Sequence, residues 1–287
     1  MMKISIRPVT LRRVIETLDL SIKERYVDPS KLSNRLRTTR RRAQEILLEI
    51  ERMRFLEATT DKKFTPNKIA SDFIDAFNQE KWEKIHDILL NNYVFYRVFV
   101  NVLQRNLSHS GFTKSDLLKI LVNEPQLNFN LTTIDVLCDW AERLGVVQRN
   151  LYTNRYYLVN NSVDFTEFIS FLQATYEELN IKPRPGLKQK YVEIAKLREH
   201  MCERLKIKRE TFDFLLTDIF KKSYGKIELC GAPITSIAKK SPTSLKKVKK
   251  GLKDSILSPQ FICLKEGRGI EINGKEYHYV AIFEPVR

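Results

Sequence analysis

"RLRTTRRRAQEILLEIERMRFLE", residues 35 to 57, sets five arginines within eight positions and then runs into an apolar pattern with helical spacing. On a wheel of about 100° per residue, Ala43, Ile46, Leu47 and Ile50 share one stripe, and Arg41, Glu45 and Arg52 point directly away from it. Arg40 and Gln44 flank one side of that outer face and Arg42 the other. The first turn is basic outward. Glu45 and Glu49 make the rest of the face unsuited to deep entry among phosphates. The knot reads either as a nucleic-acid contact or as a solvated helix face, and the flanking elements bear on the choice.

Upstream lie a helical stretch, "TLRRVIETLDL" (10 to 20), and "DPSKLSNRL", where Asp28 is suited to an N-cap and Pro29 to a first helical position. That gives a short helix over about 29 to 36. "RTT" then makes a tight turn, with Thr38 or Thr39 able to cap a helix over about 40 to 53. Downstream, "RFLEATTDKKFTPN" reads as a small hairpin with Asp61, Lys62 and Lys63 at its tip. This order, and "LSNRLRTTRRRAQEILLEIERMRFLE" in particular, resembles the winged helix-turn-helix family over roughly 60 residues. The resemblance implies that the N-terminal end of the third helix enters the major groove. Thr39, Arg41 and Gln44 would then lie nearest base edges, and Arg37, Arg40 and Arg42 would hold phosphates. Lys62 and Lys63 would add contacts from the wing.

The order recurs. Residues 92 to 159 contain an apolar helix (92 to 105), "FTKSDLLKILVN" (112 to 123), a helix "LTTIDVLCDWAERLG" (131 to 145) closed by Gly145, and a hairpin "VVQRNLYTNRYYLV". "NIKPRPGLK" (180 to 188) breaks helices on both sides and precedes a long polar helix over about 187 to 206. A third set follows: "ETFDFLLTDIFKKSY" as helix, "KIELC" as strand, "APITSIAKK" as helix, "SPTSLKKVKKGLKDSI" (241 to 256) as helix. Two alternating runs over 261 to 283 then carry an "NG" turn at 273 to 274. The expected architecture is mainly α with small β-hairpin wings: winged helices in tandem. Its divisions are an N-terminal module 1–79, a middle module 80–165, a hinge and linker helix 166–207, and a C-terminal module 208–287.

The three outer faces differ in charge. In the middle module the third helix buries Ile134, Leu137, Cys138 and Ala141, and leaves Asp135, Asp139, Thr132 and Arg143 outward beside Val136 and a partly exposed Trp140. Phosphates would repel the two carboxylates, so this face reads as a spacer or as a surface for a protein partner or self-association, with core packing of its aromatics the alternative. In the last module Leu245, Val248, Leu252 and Ile256 form the stripe, and Lys246, Lys250 and Lys253 face away with Lys247 and Lys249 on the flanks. Lysines are flexible point charges that suit phosphate tracking more than base discrimination. Arg268 in the following hairpin could add a backbone or minor-groove contact.

Composition agrees with a polyanionic partner. The 287 residues carry a formal charge of +15. Residues 1 to 79 hold 17 basic and 11 acidic side chains, 80 to 165 hold nine of each, and 166 to 287 hold 24 and 15. The excess sits in the two ends. The four cysteines are scattered without a CxxC pair, no nucleotide-binding loop or hydrolase signature appears, and no apolar run approaches the roughly 18 residues of a membrane span. No secretory leader pattern opens the chain, which reads as cytoplasmic or nucleoid-associated. The expectation is a non-enzymatic protein that needs no cofactor and binds duplex DNA through its two end modules. Regulation of transcription is the common use of such modules. A scaffold subunit of a transcription, replication or defence complex, and an RNA-binding protein, are the alternatives.

Overall fold

The computed structural model describes residues 3–61, 63–105, 111–160, 162–180, 191–223, 225–231 and 269–283. These residues form eleven helices and small sheets of two or three strands. Contacts divide the chain into two compact units. One holds the described residues up to Arg105 and from Phe112 to Gln148, and the other holds Gly111 and those from Arg149 onward. The division falls at 148/149, so the first two modules expected from sequence share most of one unit. The helices expected over 232 to 240 and 241 to 256 lie outside the described residues, as do Lys62, Lys246, Lys247, Lys249, Lys250, Lys253 and Arg268.

The first unit opens with β1 (Ile4–Ser5), then α1 (Leu11–Glu24), α2 (Pro29–Leu36), α3 (Arg40–Arg52), β2 (Leu56–Ala58) and β3 (Phe64–Pro66). Asp28 caps α2 by accepting from the Ser30 and Lys31 amides at 2.8 and 2.9 Å, with Pro29 opening the helix as its sequence suggests. β2 and β3 pair antiparallel, and an isolated antiparallel bridge joins Val27, between α1 and α2, to Phe64. The bridge places the α1–α2 connection against the hairpin. Ala43, Ile46, Leu47 and Ile50 of α3 are buried, as the wheel requires.

Two helices that the sequence reading did not assign, α4 (Lys68–Asn78) and α5 (Trp82–Asn92), lead to α6 (Val94–Arg105). After α7 (Lys114–Leu121), β4 (Leu127–Asn128) pairs in parallel with β1, and α8 (Leu131–Arg143) follows. Thr113 and Asp116 form a reciprocal capping box at the start of α7, and Asn130 caps α8. β5 (Val147–Arg149) and β6 (Tyr156–Leu158) form a two-stranded sheet where a hairpin is expected.

Glu49 corrects the wheel. Placed on the outer face by sequence, it is buried instead, with its side chain 1% exposed. One carboxylate oxygen accepts from the Tyr93 hydroxyl at 2.6 Å; the other accepts from the Arg7 amide at 3.0 Å and Arg52 at 2.8 Å. The segment before α1 and the α5–α6 junction cover that side of α3, a contact that helical periodicity within α3 does not encode. Arg52 is committed in the same way, since it also donates to the Ser5 carbonyl at 2.7 Å. Three hydrogen-bond donors around one buried carboxylate offset part of its desolvation cost.

The second unit contains α9 (Phe165–Leu179), β7 (Val192–Glu193), α10 (Ile194–Leu205), α11 (Arg209–Lys222), β8 (Ile227–Cys230), β9 (Ile270–Ile272), β10 (Lys275–Tyr277) and β11 (Tyr279–Ile282). β11 lies between β7 and β8, antiparallel to both. β9 and β10 join through Asn273 and Gly274, both at positive φ, as the Asn-Gly signal requires. α10 is shorter and less solvated than the polar helix expected over 187 to 206. Ile194, Leu197, Met201, Cys202 and Leu205 join α9 and α11 in one core, and its charged residues Arg198 and Glu199 are buried as well. Glu199 escapes an unpaired state through a two-pronged ion pair with Arg209 at 2.5 and 2.9 Å and the Leu151 amide at 2.9 Å. Arg198 donates to Asp213 at 2.6 Å and to the Gly269 carbonyl at 3.1 Å. Burial nonetheless pushes the Asp213 carboxyl above its ordinary range, with Arg198 opposing.

Tyr93→Phe removes one donor from the buried Glu49 carboxylate with little change of shape. Urea unfolding should show a loss of about 1.5 to 3 kcal/mol, the range for hydrogen bonds to charged groups. A change within about 0.5 kcal/mol, ordinary for surface sites, would mean that Glu49 is solvated.

Candidate nucleic-acid interface

The connection between α2 and α3 is three residues long and tightly specified. Arg37 ends α2 in the left-handed conformation, φ 48° and ψ 52°, and its amide donates to the Asn34 carbonyl. The Thr38 amide donates to Ser33 at 3.0 Å. Thr39 is extended and caps α3, its hydroxyl oxygen accepting from the Arg42 amide at 3.2 Å. A non-glycine residue in the left-handed region costs about 1 kcal/mol or more, and Arg37 bears that cost at a point where its side chain is exposed.

The arginines of the knot separate into two groups. Arg37, Arg40 and Arg41 are exposed, with the Arg41 side chain 91% accessible and only a loose 3.7 Å pairing to Glu45. Gln44 is half-buried beside them. Arg42 is different. It donates to Glu45 at 2.9 Å and to the Pro8 carbonyl, so the phosphate role implied by the family resemblance competes with an internal one. That hydrogen bond holds the Glu45 carboxyl below its ordinary range. Thr39 likewise spends one of its two acceptor lone pairs on the cap, which leaves the other and its hydroxyl proton. Arg35, quoted in the knot but given no role from sequence, is exposed in the last turn of α2 and extends the basic surface. Its exposure follows from the α2 wheel, where Leu32 and Pro29 are buried.

The first turn of α3 opposes the helix dipole, as the Arg12–Arg13 start of α1 also does. Backbone amides leave a partial positive charge at a helix N-terminus, which favours acidic residues there. α3 has no acidic residue in its first turn and carries Arg40, Arg41 and Arg42 there instead. Each cation at that end works against stability by about 0.3 to 1 kcal/mol at low salt. An anion placed at this terminus meets free amides, a favourable dipole and exposed guanidinium groups together. From the hairpin tip, Lys63 approaches Asp61 at 3.8 Å and lies 5.0 Å from the centre of the Tyr26 ring.

On α8 the outward carboxylates are paired. Asp135 meets Lys114 at 2.5 Å, and Asp139 meets Arg143 at 2.8 Å. Val136 is half-buried. Trp140 is not the partly exposed residue expected from sequence: it is 1% exposed, with its ring centre 5.9 Å from that of Tyr93. The α5–α6 junction supplies a partner for the side of α8 that an isolated helix leaves open. A surface role for Trp140 is therefore withdrawn, whereas Asp135 remains accessible.

Among the described residues no group of three or more histidines, cysteines and carboxylates could hold a metal ion, and no helix is long and apolar enough to cross a membrane. Comparison with family models, curated proteins and solved structures finds no match to this chain.

Arg37→Gly separates stability from binding at one position. Glycine accepts the left-handed conformation without steric cost, so thermal unfolding should show stability equal to wild type or higher by up to about 1 kcal/mol. Duplex DNA affinity, measured by fluorescence anisotropy, should nevertheless fall. Unchanged affinity would remove Arg37 from the interface.

Proposed function

We propose that the protein binds duplex DNA, with the N-terminal end of α3 and the α2–α3 turn as its principal contact, in a winged-helix manner. The observation that carries this reading is the electrostatic inversion at α3: three arginines on the positive end of a helix, no acidic residue in the first turn, and two of the three exposed. A helix optimised for stability alone places carboxylates there. The element order α1–α2–α3–β2–β3, with Val27 bridged to Phe64, supports the winged-helix assignment of this module. Order of elements likewise supports a winged-helix reading for α6, α7, α8 and the β5–β6 hairpin. Tandem winged helices remain the proposed architecture.

Within this reading Arg41 and Gln44 face base edges, where guanidinium and carboxamide groups match guanine and adenine respectively. Arg35, Arg37 and Arg40 hold phosphates. Arg42 has a mainly internal role. The α8 face carries Asp135 and Asp139, paired within the protein, and acts as a spacer or protein-contacting face. The lysine-rich stretch 241 to 256 is proposed on its sequence to add phosphate contacts. Control of transcription is a further step that rests on analogy of fold.

Binding to a random duplex, followed across salt concentration, tests the reading. With roughly six to eight phosphate contacts, log K should fall against log salt with a slope of about −5 to −7. Arg35→Ala with Arg40→Ala should shrink the slope by about 2, and Lys246, Lys250 and Lys253 all changed to Glu should shrink it by about 3. Absence of binding at about 50 mM salt, or a slope near zero, would overturn the proposal. Tighter binding to structured RNA than to duplex DNA would move it to RNA.

A further inference from the structure

Within the second unit, α9, α10 and the loop between β5 and β6 surround an open groove of about 550 Å³, lined by Thr153, Arg155, Thr175, Glu178, His200, Glu203 and Arg204. That volume is in the range of small-molecule sites. Two of its polar groups lack a hydrogen-bond partner among the described residues. Thr175 is 2% exposed, and its hydroxyl oxygen makes no hydrogen bond. His200 is half-buried on the facing helix, and burial lowers its pKa, so the imidazole is neutral near pH 7 and can donate one hydrogen bond. The Thr175 oxygen has almost no accessible surface, so of the two only His200 offers a donor to the groove.

The unspent capacity of the groove is mostly donor. Arg155 makes one long contact, 3.4 Å to the Gly111 carbonyl, and Arg204 makes one of 3.4 Å to Glu178 while lying 4.2 Å from the Phe171 ring centre. Each guanidinium has five N–H groups, so most are unused. The acceptors are more nearly spent. Glu203 receives the Gly111 amide at 3.2 Å, Asn150 at 2.5 Å and the Thr153 hydroxyl at 3.1 Å. Glu178 is 63% exposed and already beside Arg204. Three donor groups, Arg155, His200 and Arg204, suit an anion with three oxygens directed apart better than a planar carboxylate with two.

We propose that this groove is a binding site for a small phosphate monoester of sugar-phosphate or nucleotide size. Arg155 and Arg204 grip the phosphate oxygens, and His200 completes the contacts on phosphate or on an adjoining hydroxyl. Glu178, and with it the half-buried Glu203, opposes a dianion and sets a limit on affinity.

Isothermal titration of the full chain with inorganic phosphate, ribose 5-phosphate and adenosine 5′-monophosphate tests the site, with malate as the carboxylate control. Saturable one-to-one binding of at least one monoester is expected, weakened about tenfold or more by Arg155→Gln with Arg204→Gln, which removes about 1.4 kcal/mol or more. Glu178→Gln should tighten monoester binding severalfold, because it removes a repelling charge from an exposed position where folding is insensitive. Circular dichroism establishes that each variant is folded. Four outcomes overturn the proposal: no saturable heat with any of the three phosphates up to about 10 mM; affinity unchanged in the folded double variant; binding of malate alone; and weaker binding in Glu178→Gln, which would assign the groove to a cationic or zwitterionic ligand. A smaller salt slope for DNA in the arginine double variant, without monoester binding to the wild type, would make the groove a DNA contact and likewise overturn it.

Discussion

A carboxylate with almost no solvent contact organises the first unit. Glu49 lies on the same helix as the exposed arginines, and its three hydrogen-bond donors are the Tyr93 hydroxyl, the Arg52 guanidinium and the Arg7 amide, with the Arg7 guanidinium 3.9 Å away. Those groups belong to three separated stretches of chain: the segment before α1, the last turn of α3 and the junction of α5 with α6. Removing any one of them leaves a buried charge short of compensation, which is more damaging than never having had the pair. The orientation of α3 is thereby tied to the helices that follow it, and the Tyr93 ring that serves Glu49 also packs near Trp140 of α8. One hydrogen-bonded centre thus links the helix proposed to meet DNA with the packing of the next helical set.

Much of the fold was legible because local signals agreed with one another. Asp28–Pro29 opened α2, Thr39 capped α3, and Asn273–Gly274 turned β9 into β10, each through chemistry confined to a few neighbouring residues. The apolar stripe of α3 was correct at Ala43, Ile46, Leu47 and Ile50. Wheel reasoning failed where a second layer of chain covers a helix on its polar side. Glu49, Arg52 and Trp140 were all placed as outward or partly outward, and all three are held by residues remote in sequence. α10 was misjudged for the same reason: Arg198 and Glu199 look solvent-seeking in a string of letters, yet Asp213 and Arg209 reach them inside the core.

For the candidate interface, sequence alone showed which arginines leave the core but not which are already engaged. Arg41 and Arg42 are neighbours of the same chemical type. Arg41 has its guanidinium almost wholly in solvent, whereas Arg42 reaches back to the Pro8 carbonyl and Glu45. The difference depends on where the segment before α1 runs, and that segment has little periodicity to reveal its path. Charge counting overstates an interface whenever part of the charge is spent on internal structure.

That same segment is held mostly through its main chain. α3 grips it at the Ser5 carbonyl, the Arg7 amide and the Pro8 carbonyl, and β4 adds the backbone pairing of Ile4 and Ser5. Peptide groups are common to nearly every residue type, so the identities at positions 5 and 7 are only weakly constrained by these contacts. The constraint falls on Arg42, Glu49 and Arg52, three polar residues on one helix. Over evolutionary time the segment can therefore drift at its exposed positions while its path is preserved, with Ile6 and Val9 held by the core. Descendants of a common ancestor would then share a docked geometry here with little residue identity to reveal it.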